Sequence, residues 1–198
     1  MKAEQSVPDG DKSGAIQNNL GLVYGDLGQE FEAERRFQRA REIDPKDVGA
    51  MVNLAHLKLK NLDFSGAREL LEEAHRVLPA SVPIQLNLAV ARRGTGDVDG
   101  ARRVYEEIAA QPGEYEEDAL LNLGILYGDF VKDYTQAIDS YRAYISARER
   151  QGQPVAADDP VHEYIKEAEK IKAREEKKKQ QKGAAASPAP APAAGAAP

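Results

Sequence analysis

The tripeptide Asn19-Leu20-Gly21 returns as Asn53-Leu54-Ala55 and as Asn87-Leu88-Ala89, 34 residues apart each time, and as Asn122-Leu123-Gly124 after 35. A second series keeps step with it. Ala33, Ala67 and Ala101 are spaced by 34, and Ala137 follows after 36. Pro45 and Pro79 share the period, and Pro112 arrives one residue early. Self-similarity at a fixed interval of this length restricts a chain to stacked supersecondary units, none of which buries its apolar face alone. Ala, Leu, Glu, Lys, Arg and Gln dominate the sequence, so the unit is helical. Turn-forming clusters divide each unit in two: Asp26-Leu27-Gly28-Gln29, Asn61-Leu62-Asp63, Gly94-Thr95-Gly96-Asp97 and Gly128-Asp129-Phe130.

The residues at the repeating positions resemble the tetratricopeptide-repeat (TPR) family. The first repeat supplies Leu20, Gly21, Tyr24, Ala33, Phe37, Ala40 and Pro45. The second supplies Leu54, Ala55, Ala67, Leu71, Ala74 and Pro79. Leu88, Ala89, Ala101 and Tyr105 follow in the third, and Leu123, Gly124, Tyr127, Ala137 and Tyr141 in the fourth. The family's usual Trp near each repeat start is replaced by Gln17, Met51, Gln85 and Leu120. The resemblance implies an all-α fold: a right-handed solenoid of four helix-turn-helix repeats, 14–47, 48–81, 82–115 and 116–151. Small residues at Gly21, Ala55, Ala89 and Gly124, facing Ala33, Ala67, Ala101 and Ala137, let paired helices approach closely, and the larger repeating side chains fill the space between them.

The fourth repeat is irregular. It holds one extra residue, expected in the turn around Phe130-Val131-Lys132-Asp133, and its second helix runs on toward Arg150 without a closing Pro. Asp158-Asp159-Pro160 then carries a helix-start signature, an acidic cap followed by Pro in the first turn. Val161, Tyr164, Ile165, Ala168 and Ile171 fall on one face, which is the pattern of a capping helix over 158–182 with a basic end. Residues 1–13 are polar and read as disordered, and 183–198, almost all Ala and Pro, read as a disordered spacer.

Composition removes several chemistries. With no Cys there is no disulfide, thiolate metal site or Cys nucleophile. A net charge of -6 opposes general nucleic-acid binding, which needs excess cations. His56, His75 and His162 lie in different elements, so no metal site is expected. Gly10-Asp11-Lys12-Ser13 lacks the upstream Gly of a phosphate loop, and Gly94 to Gly100 lacks the Glu that closes a calcium loop. No enzyme activity and no cofactor are expected.

The family's architecture implies that the first helix of each repeat lines a concave groove. In that register the groove carries Asn18, Leu22, Val52, His56, Leu59, Leu86, Val90, Arg93, Leu121 and Ile125. Val52, Leu86 and Leu121 stand where the family's carboxylate-clamping groove has polar groups, so that mode is not expected. An aliphatic stripe on a concave surface suits a protein or peptide partner that presents an amphipathic helix or apolar segment. Lys60 and Arg93 against Asp26 and Asp129 would set its direction. The same stripe also satisfies a closed arrangement in which the aliphatics pack on neighbouring first helices. The expected role is a non-enzymatic scaffold or adaptor. A looser likeness of Asp133 to Lys179, through Tyr134, Ala137, Tyr141 and Tyr144, to TPR proteins of bacterial gliding-motility and envelope machines implies an envelope assembly factor as the alternative. No stretch reaches the roughly 18 apolar residues of a membrane span, though Lys177, Lys178 and Lys179 could touch an acidic or lipid surface. The chain reads as cytoplasmic, or as periplasmic or outer-membrane associated if a signal was removed.

Overall fold

The computed structural model describes residues 12–185, and these form nine α-helices and no strand. The expectations of disorder at the two ends lie outside the described residues, except that Ser13 caps the first helix and 183–185 continue the last. The helices pair as the period requires: α1 (Gly14–Asp26) with α2 (Glu30–Ile43), α3 (Val48–Lys60) with α4 (Phe64–Val77), and α5 (Val82–Gly94) with α6 (Val98–Ala109). In the fourth unit α7 (Glu116–Ile125) pairs with α8 (Tyr134–Arg150), and α9 (Pro160–Ala185) closes the array.

Local chemistry sets the boundaries. Asp63, Asp97 and Asp133 start α4, α6 and α8, each accepting a hydrogen bond from a backbone N–H in the first turn of its helix (Gly66, Gly100 and Gln136 at 2.9, 3.0 and 3.1 Å). Asp159 does the same for α9, accepting from the Val161 N–H at 2.9 Å. The first helices end in left-handed caps closed by a bond five residues back. Gln29 N–H donates to Tyr24 O, Asp63 N–H to Lys58 O and Asp97 N–H to Arg92 O, at 2.8, 2.8 and 2.9 Å. The residue in the left-handed conformation is Gly28 (φ 71°) or Gly96 (φ 90°) in two of these turns, but Leu62 (φ 59°) in the second repeat. A left-handed L-residue costs about 1–2 kcal/mol, part of which glycine returns as chain entropy. Leu62→Gly should therefore stabilise the protein by about 0.5–1 kcal/mol, read as a higher urea midpoint at unchanged slope.

The fourth repeat corrects one expectation. Gly128, Asp129 and Phe130 are not a turn. The extra residue is taken into the helix as a wider, π-helical turn, Leu126–Val131, that prolongs α7. Asp133 N–H consequently reaches back six residues to Tyr127 O at 3.0 Å, and Lys132 (φ 63°) becomes the left-handed cap. A bulge keeps Tyr127 and Tyr141 in register with their counterparts, whereas a longer turn would have moved α8 along α7.

Three clusters of buried side chains run through the array, one around Leu54, Leu71 and Leu88, one around Tyr105 and Leu123, and one around Tyr141, Tyr144 and Val161. Ala33, Ala67, Ala101 and Ala137 are all fully buried. Gly21 and Gly124 lie against the rings of Phe37 and Tyr141, which occupy the space that a Cβ would need. Small residues are thus required where an aromatic ring from the second helix crosses the first. Each second helix also carries the next first helix: α2 packs on α3, α4 on α5 and α6 on α7, and α8 meets α9 in the same way. Consecutive first helices touch one another (α1 with α3, α3 with α5, α5 with α7) more than second helices do, so the layer of first helices is the inner, concave one.

Candidate partner-binding groove

The sequence-selected residues all lie on the first helices, α1, α3, α5 and α7, with unequal exposure. Leu22 is 45 % exposed and His56 is exposed. Val52 and Leu59 are half-buried against the first core cluster, Val90 against the second, and Leu121 and Ile125 against the third. Leu86 departs from the expectation of a groove contact. It is 8 % exposed and belongs to the second cluster with Ala89, Leu123 and Leu126, so it is wall rather than surface. The aliphatic stripe is therefore neither fully open nor closed. Apart from exposed Leu22 and buried Leu86, its side chains are half-buried against one of the three cores.

Polar side chains lock the inner helices together. Asn53 Nδ2 donates to Asn18 Oδ1 at 2.9 Å, joining α3 to α1. Arg93 Nη1 donates to Asn122 Oδ1 at 3.2 Å, joining α5 to α7, and its guanidinium lies 5.3 Å from the centre of the Phe130 ring. Lys60 does not face the groove as a free cation; its ammonium is 2.6 Å from Glu30 Oε1 and draws that carboxyl below its ordinary pKa. Sequence alone does not assign Asn53, Asn122 and Phe130 to this surface. The first two stand in the recurring tripeptide, where they mark only the register.

The groove ends in a cavity of about 430 Å³ between the π-helical turn, α8 and α9, lined by Ile125, Asp129, Tyr141, Tyr164 and Ile171 among others. Tyr141 and Tyr164 meet there with ring centres 5.7 Å apart. Among the described residues no group of three His, Asp or Glu side chains is placed to hold a metal ion. No helix among them is long and apolar enough to cross a membrane.

Family models described as tetratricopeptide repeat match residues 14–43, which hold α1 and α2, and residues 58–123, which run from the end of α3 into α7. The chain is a tetratricopeptide-repeat protein. This fold is in general a non-catalytic, protein-interacting one. No curated protein matches the TPR chain significantly at the level of sequence. Among solved structures, MamA 41-end from Desulfovibrio magneticus RS-1 is 17 % identical with a TM-score of 0.63, over 71 % of this chain and 78 % of that one. A further MamA structure is 20 % identical with a TM-score of 0.59, covering 94 % of this chain and 100 % of that one. A chain of the APC/C hetero-tetramer Cut9-Hcn1 is 18 % identical with a TM-score of 0.64, over 79 % of this chain and 30 % of that one. Identities this low establish the shared fold and nothing finer.

Two tyrosines of this TPR array supply a pH signature. Burial raises the Tyr105 phenol from 10.0 to about 12, opposed in part by the nearby Arg93 charge. Burial, with Asp129 and Tyr164 close by, raises Tyr141 likewise to about 12. Both pKa values are higher folded than unfolded, so the neutral phenol is the form the fold favours. Their stabilisation is complete below pH 10 and is lost as pH rises toward 12. Phenolate absorbance should show two late-titrating tyrosines, and thermal stability should fall steeply across that window.

Proposed function

We propose that the concave face binds an amphipathic helix or apolar segment of a partner protein, and that the chain serves as a non-enzymatic scaffold or adaptor. The observation that carries this reading is the half-covered aliphatic stripe. Val52, Leu59, Val90, Leu121 and Ile125 are held in place by three separate cores, so little of their side-chain freedom remains to be lost on binding. Covering their open sides removes apolar surface from water at roughly 25 cal/mol per Å². Asn18–Asn53 and Arg93–Asn122 hold the spacing between first helices, which fixes the length of segment that fits. The terminal cavity suits one bulky side chain at the end of that segment.

The test uses charge at the two most open positions. Leu22→Glu with His56→Glu places two carboxylates in the groove without burying either, so the helical far-UV signal should be unchanged. In a pull-down from native extract analysed by mass spectrometry, a groove partner should be retained by the wild type and lost by the variant. The same partners on both would sink the proposal. Leu86→Glu is unsuitable for this purpose, because a carboxylate at a buried position would destabilise the repeat itself.

A further inference from the structure

Tyr141 holds the repeat position of Phe37, Leu71 and Tyr105, the large side chain that each second helix sends across the first. Phe37 and Leu71 need no polar partner, and Tyr105 is fully enclosed. Tyr141 differs. It is only 6 % exposed, yet it lines the cavity between the π-helical turn, α8 and α9. Its hydroxyl lies 3.9 Å from where a Cβ on Gly128 would stand, and Gly128 lines the same cavity. That hydroxyl makes no hydrogen bond among the described residues. A phenol so nearly removed from water normally has a partner, so the cavity is where one is wanted.

The walls define the partner's chemistry. The rings of Tyr141 and Tyr164 meet there, with Tyr134 beside them, and aromatic faces attract cations. Asp129 and Glu167 line the same space, and neither carboxylate has an ion-pair partner among the described residues. Lys132 is the cation in the wall, so the balance of charge is negative. Tyr141 registers that balance. After burial, Asp129 does most to raise its phenol, and Arg93 opposes this more weakly. Ile125 and Ile171 complete the wall with apolar surface.

A ligand suited to these walls has an apolar stem and a planar cationic head. The head must lie on a ring while donating to carboxylates and to a phenol oxygen. An arginine side chain meets each requirement. The protein uses the same pairing elsewhere: Arg36 lies 5.7 Å from the centre of the Tyr24 ring, Arg93 5.3 Å from that of Phe130, and Arg148 5.9 Å from that of Tyr144. The Tyr141–Tyr164 pair has no such arginine among the described residues.

We propose that this cavity receives an arginine side chain of the partner protein, its guanidinium against the Tyr141 and Tyr164 rings and paired with Asp129 and Glu167. The assignment rests on the concave face being a partner groove, because Ile125 belongs to both the groove and the cavity. An arginine at one end of an apolar segment would then fix its direction and register.

The experiment needs no native partner. Nα-acetyl-arginine amide is titrated into the full 198-residue chain, and the tyrosine ring resonances are followed by NMR. Tyr141 and Tyr164 should shift saturably, while Tyr24, in the first repeat, should not move. Nα-acetyl-citrulline amide, the same shape without the charge, should bind at least about tenfold more weakly. Asp129→Asn with Glu167→Gln should weaken arginine by a similar factor at unchanged helical signal, since both positions are exposed. Equal binding of citrulline, an unaffected double variant, or no saturable shift at the highest soluble probe concentration would each overturn the proposal. The two readings fail separately. Arginine bound here, with no partner lost in the groove pull-down, would sink the groove and keep the cavity. A groove partner found, with no arginine bound, would sink only the cavity assignment.

Discussion

Ala67→Arg is expected to unfold the middle of the array. Ala67 lies in α4, is fully buried, and belongs to the cluster that also contains Leu54, Ala55 and Leu71. Overpacking such a site costs about 1–3 kcal/mol by itself, and a guanidinium held there without a partner adds several more. The sum approaches the roughly 5–15 kcal/mol that stabilises a whole domain. Because each repeat touches only its neighbours, the damage has a defined reach. Loss of α4 removes the packing partners of α3 and α5, and it leaves α1 and α2 as a single repeat unable to stand alone. The third and fourth repeats with α9 retain their own clusters. Hydrogen exchange should therefore show protection lost through α1 to α4 and partly kept from α6 onward, with a marked fall in far-UV helical signal. Ala67→Ser, which adds one atom and no charge, should be far milder. If Ala67→Arg melted like the wild type, the register itself would be wrong.

That register is legible in the sequence because the same physical requirement recurs at every interface. Gly21, Ala55, Ala89 and Gly124 are small for one reason, the crossing of a larger side chain from the second helix, and repetition makes a weak signal strong. Features that occur once have no such support. The extra residue between Asn122 and Ala137 fits a longer turn and a helical bulge equally well by spacing, and only the Asp133-to-Tyr127 hydrogen bond separates them. Leu62 in a left-handed cap is invisible from sequence, because turn chemistry selects Gly or Asn there. How deeply the first-helix side chains sit is not legible in the sequence. Val52, Leu86 and Leu121 hold the same place in three repeats, yet only Leu86 is buried. How far such a side chain sinks depends on the neighbours two helices away, which periodicity does not encode. The exposure of Val23 is hidden in the sequence for a related reason. A periodic apolar residue reads as core, yet Val23 is 53 % exposed where its counterpart Ala91 is fully buried.

Val161→Asp should have a large effect confined to the opposite end. Val161 is 1 % exposed and packs with Ala137, Tyr141 and Tyr144, so it is the point where α9 enters the third cluster. A carboxylate there loses the valine's burial and gains no hydrogen-bond partner, a cost of about 3–4 kcal/mol by the sum of both effects. What remains to hold α9 is modest: buried Ala168, half-buried Ile165, the Tyr141–Tyr164 contact, and an exposed Arg142–Glu169 ion pair at 2.8 Å that contributes little in water. The helix should undock. It packs chiefly on α8, so hydrogen exchange should quicken in α9 and along the α8 face it covers while α1 to α5 keep their protection. A second readout follows from the cavity. With Tyr164 gone and water admitted, the burial that chiefly raises the Tyr141 pKa is reduced, and its titration should move from about 12 toward 10.0, while Tyr105, buried in a different cluster, stays high. Collapse of the whole array would contradict nearest-neighbour stability. An unchanged Tyr141 titration would mean that α9 is not what seals the groove's end.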